Sequence, residues 1–139
     1  MSDLHTDFTF PSNPENVSKV ESFVDDVATR YGLDPDTQGN ILVSLTEAVT
    51  NAMRHGNQGD CSKQVSISCR HQKNALSIRV ADEGPGFDPG DVADPTCPER
   101  LEEVGGRGLF LMKNLSDSCR FMRGGSMVEM RFRLRFKGL

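Results

Sequence analysis

No apolar run in these 139 residues approaches the length needed to cross a bilayer. The opening segment, MSDLHTDFTF, has neither the basic lead nor the hydrophobic stretch of a secretory signal. Both absences point to a cytoplasmic protein without a membrane partner. The four cysteines, Cys61, Cys69, Cys97 and Cys119, form no CxxC pair, and no histidine stands at a zinc-finger spacing from them. Reduced thiols are therefore expected in place of a metal site or a disulfide framework. Basic residues are in deficit, 16 against 20 acidic for a formal charge of -4, which argues against direct binding of nucleic acid. The deficit is uneven. From Arg120 onward six basic residues (Arg120, Arg123, Arg131, Arg133, Arg135, Lys137) face Glu129 alone.

What is present suits a single soluble domain over residues 1–139, with 36% apolar and 26% charged residues. Leu4, Thr6, Phe8 and Phe10 alternate with His5, Asp7 and Thr9, the pattern of a strand with one wet face. Asn13-Pro14 and Asp34-Pro35 each read as an N-cap followed by proline at the first helical position, with Gly32 and Gly56 as the matching stops. Two half-buried strands follow, Val65 to Cys69 and Leu76 to Val80, as a hairpin turned through HQKNA. From Asp82 to Gly108 the periodicity dissolves into Gly, Pro and acidic residues, with one possible helical turn near Glu99 to Val104. A short helix from Leu109 and a last hairpin around Gly124-Gly125 close the chain. In the final strand Val128, Met130, Phe132, Leu134 and Phe136 face one way, so the basic run on the other side reads as a solvated face. This order of elements predicts an α+β sandwich with helices on one face of the sheet.

Three segments carry chemistry. LTEAVTNAMRHG, residues 45–56, read as a helix, puts Glu47, Asn51 and His55 on one stripe beside the apolar arc Leu45, Ala48, Val49, Ala52 and Met53. A carboxylate and a carboxamide at the margin of a core helix need an outside partner, which a metal-nucleotide supplies; on an ordinary helix the same letters are a solvated face. DEGPGFDPG, residues 82–90, follows a strand, so Asp82 can accept from an exocyclic amine while Gly84 and Gly86 let the backbone approach a flat ring, although a tight acidic turn uses the same residues. GGRGLFLM, residues 105–112, runs glycines into a helix whose free amides make an anion site, with Arg107 able to add charge; a Gly-rich hinge is the plainer reading. Neither a Walker loop nor a dinucleotide fingerprint is present.

Taken together, ExxxN, DxGxG and GxRG in this order resemble the N, G1 and G2 boxes of the GHKL superfamily of ATP-binding domains. EAVTNAMRHGN, DEGPGFDP, DPTCPERLEEVGGRGLFLMKNLSD and GGSMVEMRF are similar to the anti-sigma factor serine kinases of bacterial partner-switching systems. The resemblance implies a histidine-kinase-like, Bergerat-type fold: a two-layer sandwich of a mixed, mostly antiparallel sheet with helices on one face. It makes Asn51 the Mg2+ ligand and Glu47 the general base toward a serine hydroxyl. It makes Asp82 the adenine acceptor, shaped by Gly84, Gly86 and the neighbouring Phe87. Gly105, Gly106, Arg107, Gly108 and Leu109 become the phosphate-binding set, and residues 88–104 the lid over ATP. His55 is expected to be mainly structural, at a helix end that favours a cation, though within reach of nucleotide. The implied partners are a sigma factor and an anti-anti-sigma antagonist, and the implied assembly a homodimer. A non-catalytic module whose ATP-dependent shape regulates a partner is the alternative, and an ATPase subunit acting on small molecules a weaker one.

Overall fold

The computed structural model describes residues 5–85 and 106–134. Gly86, Phe87, Gly105, Cys97, the proposed lid, the possible turn near residues 99–104 and the end of the basic tail lie outside them. Strand β1 (His5–Pro11) leads through a 3-10 turn (Pro14–Val17) into α1 (Ser18–Tyr31). Asn13 caps the opening turn, its side-chain oxygen accepting from the Glu15 amide at 3.0 Å. Gly32 ends α1 in the left-handed region, φ 62°, where its lack of a Cβ removes the strain.

Helix α2 (Pro35–Asn51) starts after two residues. Asp34 occupies its N-cap position in extended conformation but makes no capping hydrogen bond, and one of its carboxylate oxygens is buried without a partner among the described residues. Pro35, with its fixed φ and no amide to satisfy, therefore carries the start alone. At the other end α2 does not stop at a glycine C-cap. It widens into a π-helical turn, Ala52–Gly56, closed by the Asn57 amide donating to the Ala52 carbonyl at 2.7 Å.

The remaining elements are β2 (Gln64–Gln72), β3 (Ala75–Ala81), α3 (Gly106–Leu115), β4 (Ser118–Met122) and β5 (Met127–Arg133). They form one five-stranded sheet in the order β1-β2-β3-β5-β4. Among the described residues every pairing is antiparallel, where the resemblance implies a mixed, mostly antiparallel sheet. The reason is topological. β3 and β4 do run parallel, but they are not neighbours: β5 turns back from β4 and fills the gap between them.

One sheet face supplies Phe10, Val65, Ile67, Ile78, Met130 and Phe132 to the core. Val20, Val24, Ile41, Leu45 and Val49 meet them from α1 and α2. Each such side chain fully removed from water stabilises the fold by roughly 1.5–3 kcal/mol, and the helix stripe of the first motif is held in place by this packing. Of the four cysteines, Cys69 and Cys119 are free thiols pushed up to about 11 chiefly by burial, and Cys61 is a free exposed one.

The opposite face departs from the simple solvated surface in one respect. Glu129 is only 6% exposed. Its two oxygens accept from Arg79 Nε at 2.8 Å and Arg120 Nε at 2.9 Å. Burial alone would raise its pKa, but the hydrogen bonds and charges of the two guanidiniums outweigh that and hold it below the ordinary glutamate range. A depressed folded-state value means stability that is present above the unfolded-state titration and lost as pH falls through the folded one. Urea unfolding followed against pH should show this acid loss in the intact chain, and Glu129→Gln should flatten it. An unchanged acid limb in the variant would contradict the ion-pair account.

Candidate functional site

Glu47 and Asn51 sit one turn apart on α2, both half-buried, and neither has a hydrogen-bond partner among the described residues. What faces them is Gly108 of α3. A Cβ built there would stand 2.9 Å from Asn51 Nδ2 and 3.1 Å from Glu47 Oε1, so any larger residue would crowd the ends of these two side chains. Gly106, Arg107, Gly108 and Leu109 open the described part of α3, and the opening amides of a helix are the ones that can turn to an outside acceptor. The positive end of that helix is thus set against a carboxylate and a carboxamide. Leu109 is buried and fixes the helix to the core, while the Arg107 side chain is exposed.

Asp82 follows β3 directly, and its amide donates to the Ser126 carbonyl at 2.9 Å. One of its carboxylate oxygens accepts from the Gly84 amide at 2.8 Å, closing a tight turn. That turn lies on the end of the π-helical segment. A Cβ on Gly84 would overlap the Gly56 carbonyl, and a Cβ on Gly56 would overlap the Asp82 carboxylate. Desolvation raises the Asp82 pKa, opposed more weakly by the Gly84 hydrogen bond and the Lys63 charge. Asp82 is therefore a partly desolvated acceptor whose position is set by backbone contacts.

The residue that sequence reasoning missed is Asn57, which the composition of NQGDCSKQ assigns to a loop. It is fully buried. Its amide nitrogen donates to the Gln64 carbonyl at 3.1 Å and its oxygen accepts from the Glu83 amide at 2.8 Å. Glu83 in turn accepts from the Gln64 amide at 2.6 Å. Asn57 so ties β2 to the Asp82 turn. No periodicity marks such a residue, because its signal is buried polarity, which appears only when the chain is folded.

Between α2 and the sheet lies a cleft with Asn51, Asp82 and Ser126 as polar groups and Ala48, Ala52, Val80, Met112, Phe121 and Val128 as apolar walls. A few polar groups on an apolar slot suit a flat ring bearing an amine. His55 does not line this cleft. His55 lies within the π-helical turn that follows Asn51. Burial, and secondarily the neighbouring Arg54, lower its pKa and favour the neutral imidazole. Gly86, Phe87 and Gly105 fall outside the described residues.

These residues fit a magnesium nucleotide: an unpartnered carboxamide oxygen donor, a desolvated acceptor, and a glycine-shaped gap at a helix N-terminus. Among the described residues, no helix is long and apolar enough to cross a membrane. The profile of the histidine kinase-like ATPase domain matches residues 10–132. Similar proteins include serine-protein kinase RsbW of Listeria monocytogenes, 26% identical over 95% of this chain and 90% of that protein. RsbW of Bacillus subtilis is 33% identical over 79% of this chain and 72% of its own. In fold the chain resembles a crystal structure of the RsbU and RsbW domains of a Mycobacterium tuberculosis protein, with a TM-score of 0.64 at 20% identity. That likeness covers 98% of this chain and 34% of the longer one. An antiparallel sheet backed by helices, an Asn-Glu stripe under a glycine-led helix, and a profile matched across nearly all of its length agree: the chain belongs to the histidine kinase-like ATPase domain family.

Proposed function

We propose that the chain is an ATP- and Mg2+-dependent protein kinase of anti-sigma type. It phosphorylates a serine or threonine on a small antagonist protein in the cytoplasm, and sequesters a sigma factor when it is not so engaged. The observation that carries this reading is the seat of Gly108 on Glu47 and Asn51, which sets the start of α3 beside a carboxylate and a carboxamide, the groups that a base and a metal donor would need. The names of the RsbW relatives support the serine chemistry.

In this reading Asn51 would hold Mg2+, Asp82 would accept from the adenine amine, and the amides of Gly106, Gly108 and Leu109 would face the phosphates. The bound nucleotide supplies the phosphoryl group, and the metal neutralises charge on it. The chain's own task is then positioning, with the Glu47 carboxylate placed to take the proton of an incoming hydroxyl. The cleft walls exclude water from the adenine side. Phosphoryl transfer needs little more, because its transition state is stabilised mainly by charge and alignment.

Asp82 provides the test of the base-recognition half. Asp82→Asn is expected to weaken ATP by at least about tenfold and to leave GTP nearly unchanged, since adenine carries its amine at the ring position where guanine has a carbonyl. Calorimetric titration of both nucleotides measures it, and equal losses for both would contradict the assignment. In the intact chain ATP affinity should also fall as pH is lowered through the raised Asp82 titration, where the carboxylate gains a proton and loses an acceptor site. A flat profile there would carry the same contradiction.

A further inference from the structure

We propose that the open face of the sheet is a docking surface for an acidic segment of another protein, one that carries two or more carboxylates and is held by Arg70, Arg79, Arg120 and Arg131. This surface lies on the far side of the sheet from the nucleotide cleft and does not depend on the reading of that cleft.

The sheet register builds it. Arg70, Ser77 and Arg131 stand side by side on β2, β3 and β5. With strands about 4.8 Å apart, the two arginine backbones lie about 10 Å apart with a short serine between them. Arg70 and Arg131 are exposed, and among the described residues neither has an ion-pair partner. In the next row Arg79, Glu129 and Arg120 are neighbours on β3, β5 and β4. Glu129 engages only the Nε of each guanidinium, and the Arg79 and Arg120 side chains remain 40% and 66% exposed. Their terminal amines stay available as donors. These four arginines and Glu129 line one polar concavity together with Gln72 and Ser77.

A single buried carboxylate therefore holds two of the four guanidiniums, leaving an excess of three positive charges in this concavity of a chain whose net charge is -4. Like charges held this close repel unless an anion covers them. Two charged rows, separated by two residues along each strand, match carboxylates repeated along an extended peptide better than one small ion. Single-stranded nucleic acid is the poorer match, because binding it relies on aromatic rings for stacking and the sheet positions of this concavity carry none. A second copy of the chain is also disfavoured. Pressed against its own image, the face would meet the same positive excess.

The test is fluorescence anisotropy with a labelled Glu-Ser repeat peptide, a Gln-Ser repeat peptide and an oligothymidylate of charge equal to the acidic one. The proteins compared are the intact chain and the double variant Arg70→Ala, Arg131→Ala. The proposal expects salt-sensitive binding of the Glu-Ser peptide alone, weakened at least about tenfold in the variant. The variant's melting temperature should equal or exceed that of the intact chain, since two unpaired charges are removed. No binding of the Glu-Ser peptide, equal binding by both proteins, or tighter binding of the oligothymidylate would overturn it. So would a dimer in sedimentation that the variant loses, because the face would then belong to a second copy.

Discussion

Gly84→Ala is expected to lower ATP affinity by at least about a hundredfold and to destabilise the fold by about 1–3 kcal/mol, the range for overpacking a tight contact. The new methyl group would overlap the Gly56 carbonyl, and both sides of that contact are backbone, so no side chain can swing aside. Relief must come from moving the turn, which carries Asp82 with it through the Gly84 amide. Gly39→Ala is the matching control. Gly39 lies inside α2 with nothing within 4 Å of a built Cβ, so there the same change should stabilise by roughly 0.5–1 kcal/mol. Urea unfolding together with calorimetry reads both effects. A Gly84→Ala protein that melts and binds nucleotide like the intact chain would mean that the turn does not depend on this contact.

Glu47→Gln should separate chemistry from binding. The amide keeps the shape and reach of the carboxylate beside Gly108 but has no basic oxygen, so the loss should be confined to proton removal from the incoming hydroxyl. Transfer of labelled γ-phosphate to a protein serine is expected to fall by about 10²–10⁴-fold, with ATP affinity changed less than about threefold. Transfer that survives undiminished would remove Glu47 as the base. Transfer absent from both proteins, with nucleotide still bound, would favour a chain that regulates by binding alone.

Much of this architecture is legible in the sequence because it rests on short-range signals. The helical repeat of Val20, Phe23, Val24 and Val27 and the alternation of Val65, Ile67 and Cys69 specify which face each element buries, and those residues are buried. Gly32 ends α1 as its conformational freedom predicts. The features that escape are long-range. Asp34 has the right letter for a cap, yet its carboxylate is buried without bonding the helix. Glu129 sits at a position whose alternation reads as solvent, and only the register of β3 and β4 on either side of β5 brings Arg79 and Arg120 to it. The π-helical turn after Asn51, which contains His55, likewise has no local signal.

The same division holds within the site. Glu47, Asn51, Asp82, Gly84 and Gly108 are identified by their motifs, because glycines and polar residues at helix and strand ends are informative without a fold. Their mutual placement is not. That Gly108 lies against Glu47 and Asn51, and Gly84 against Gly56, follows from α3 packing on α2 and from β3 ending beside the wide turn. Asn57 ties β2 to the turn that makes the second of these contacts, through one side-chain hydrogen bond to each, and the motif that ends on it gives no sign of this role.

The central claim, that this cleft takes a magnesium nucleotide through Asn51, is tested most directly by calorimetric titration of ATP with and without Mg2+, on the intact chain and on Asn51→Ala. The account predicts Mg2+-dependent binding by the intact chain and loss of that dependence in the variant. Binding that is the same with and without Mg2+, or unchanged in Asn51→Ala, would contradict it.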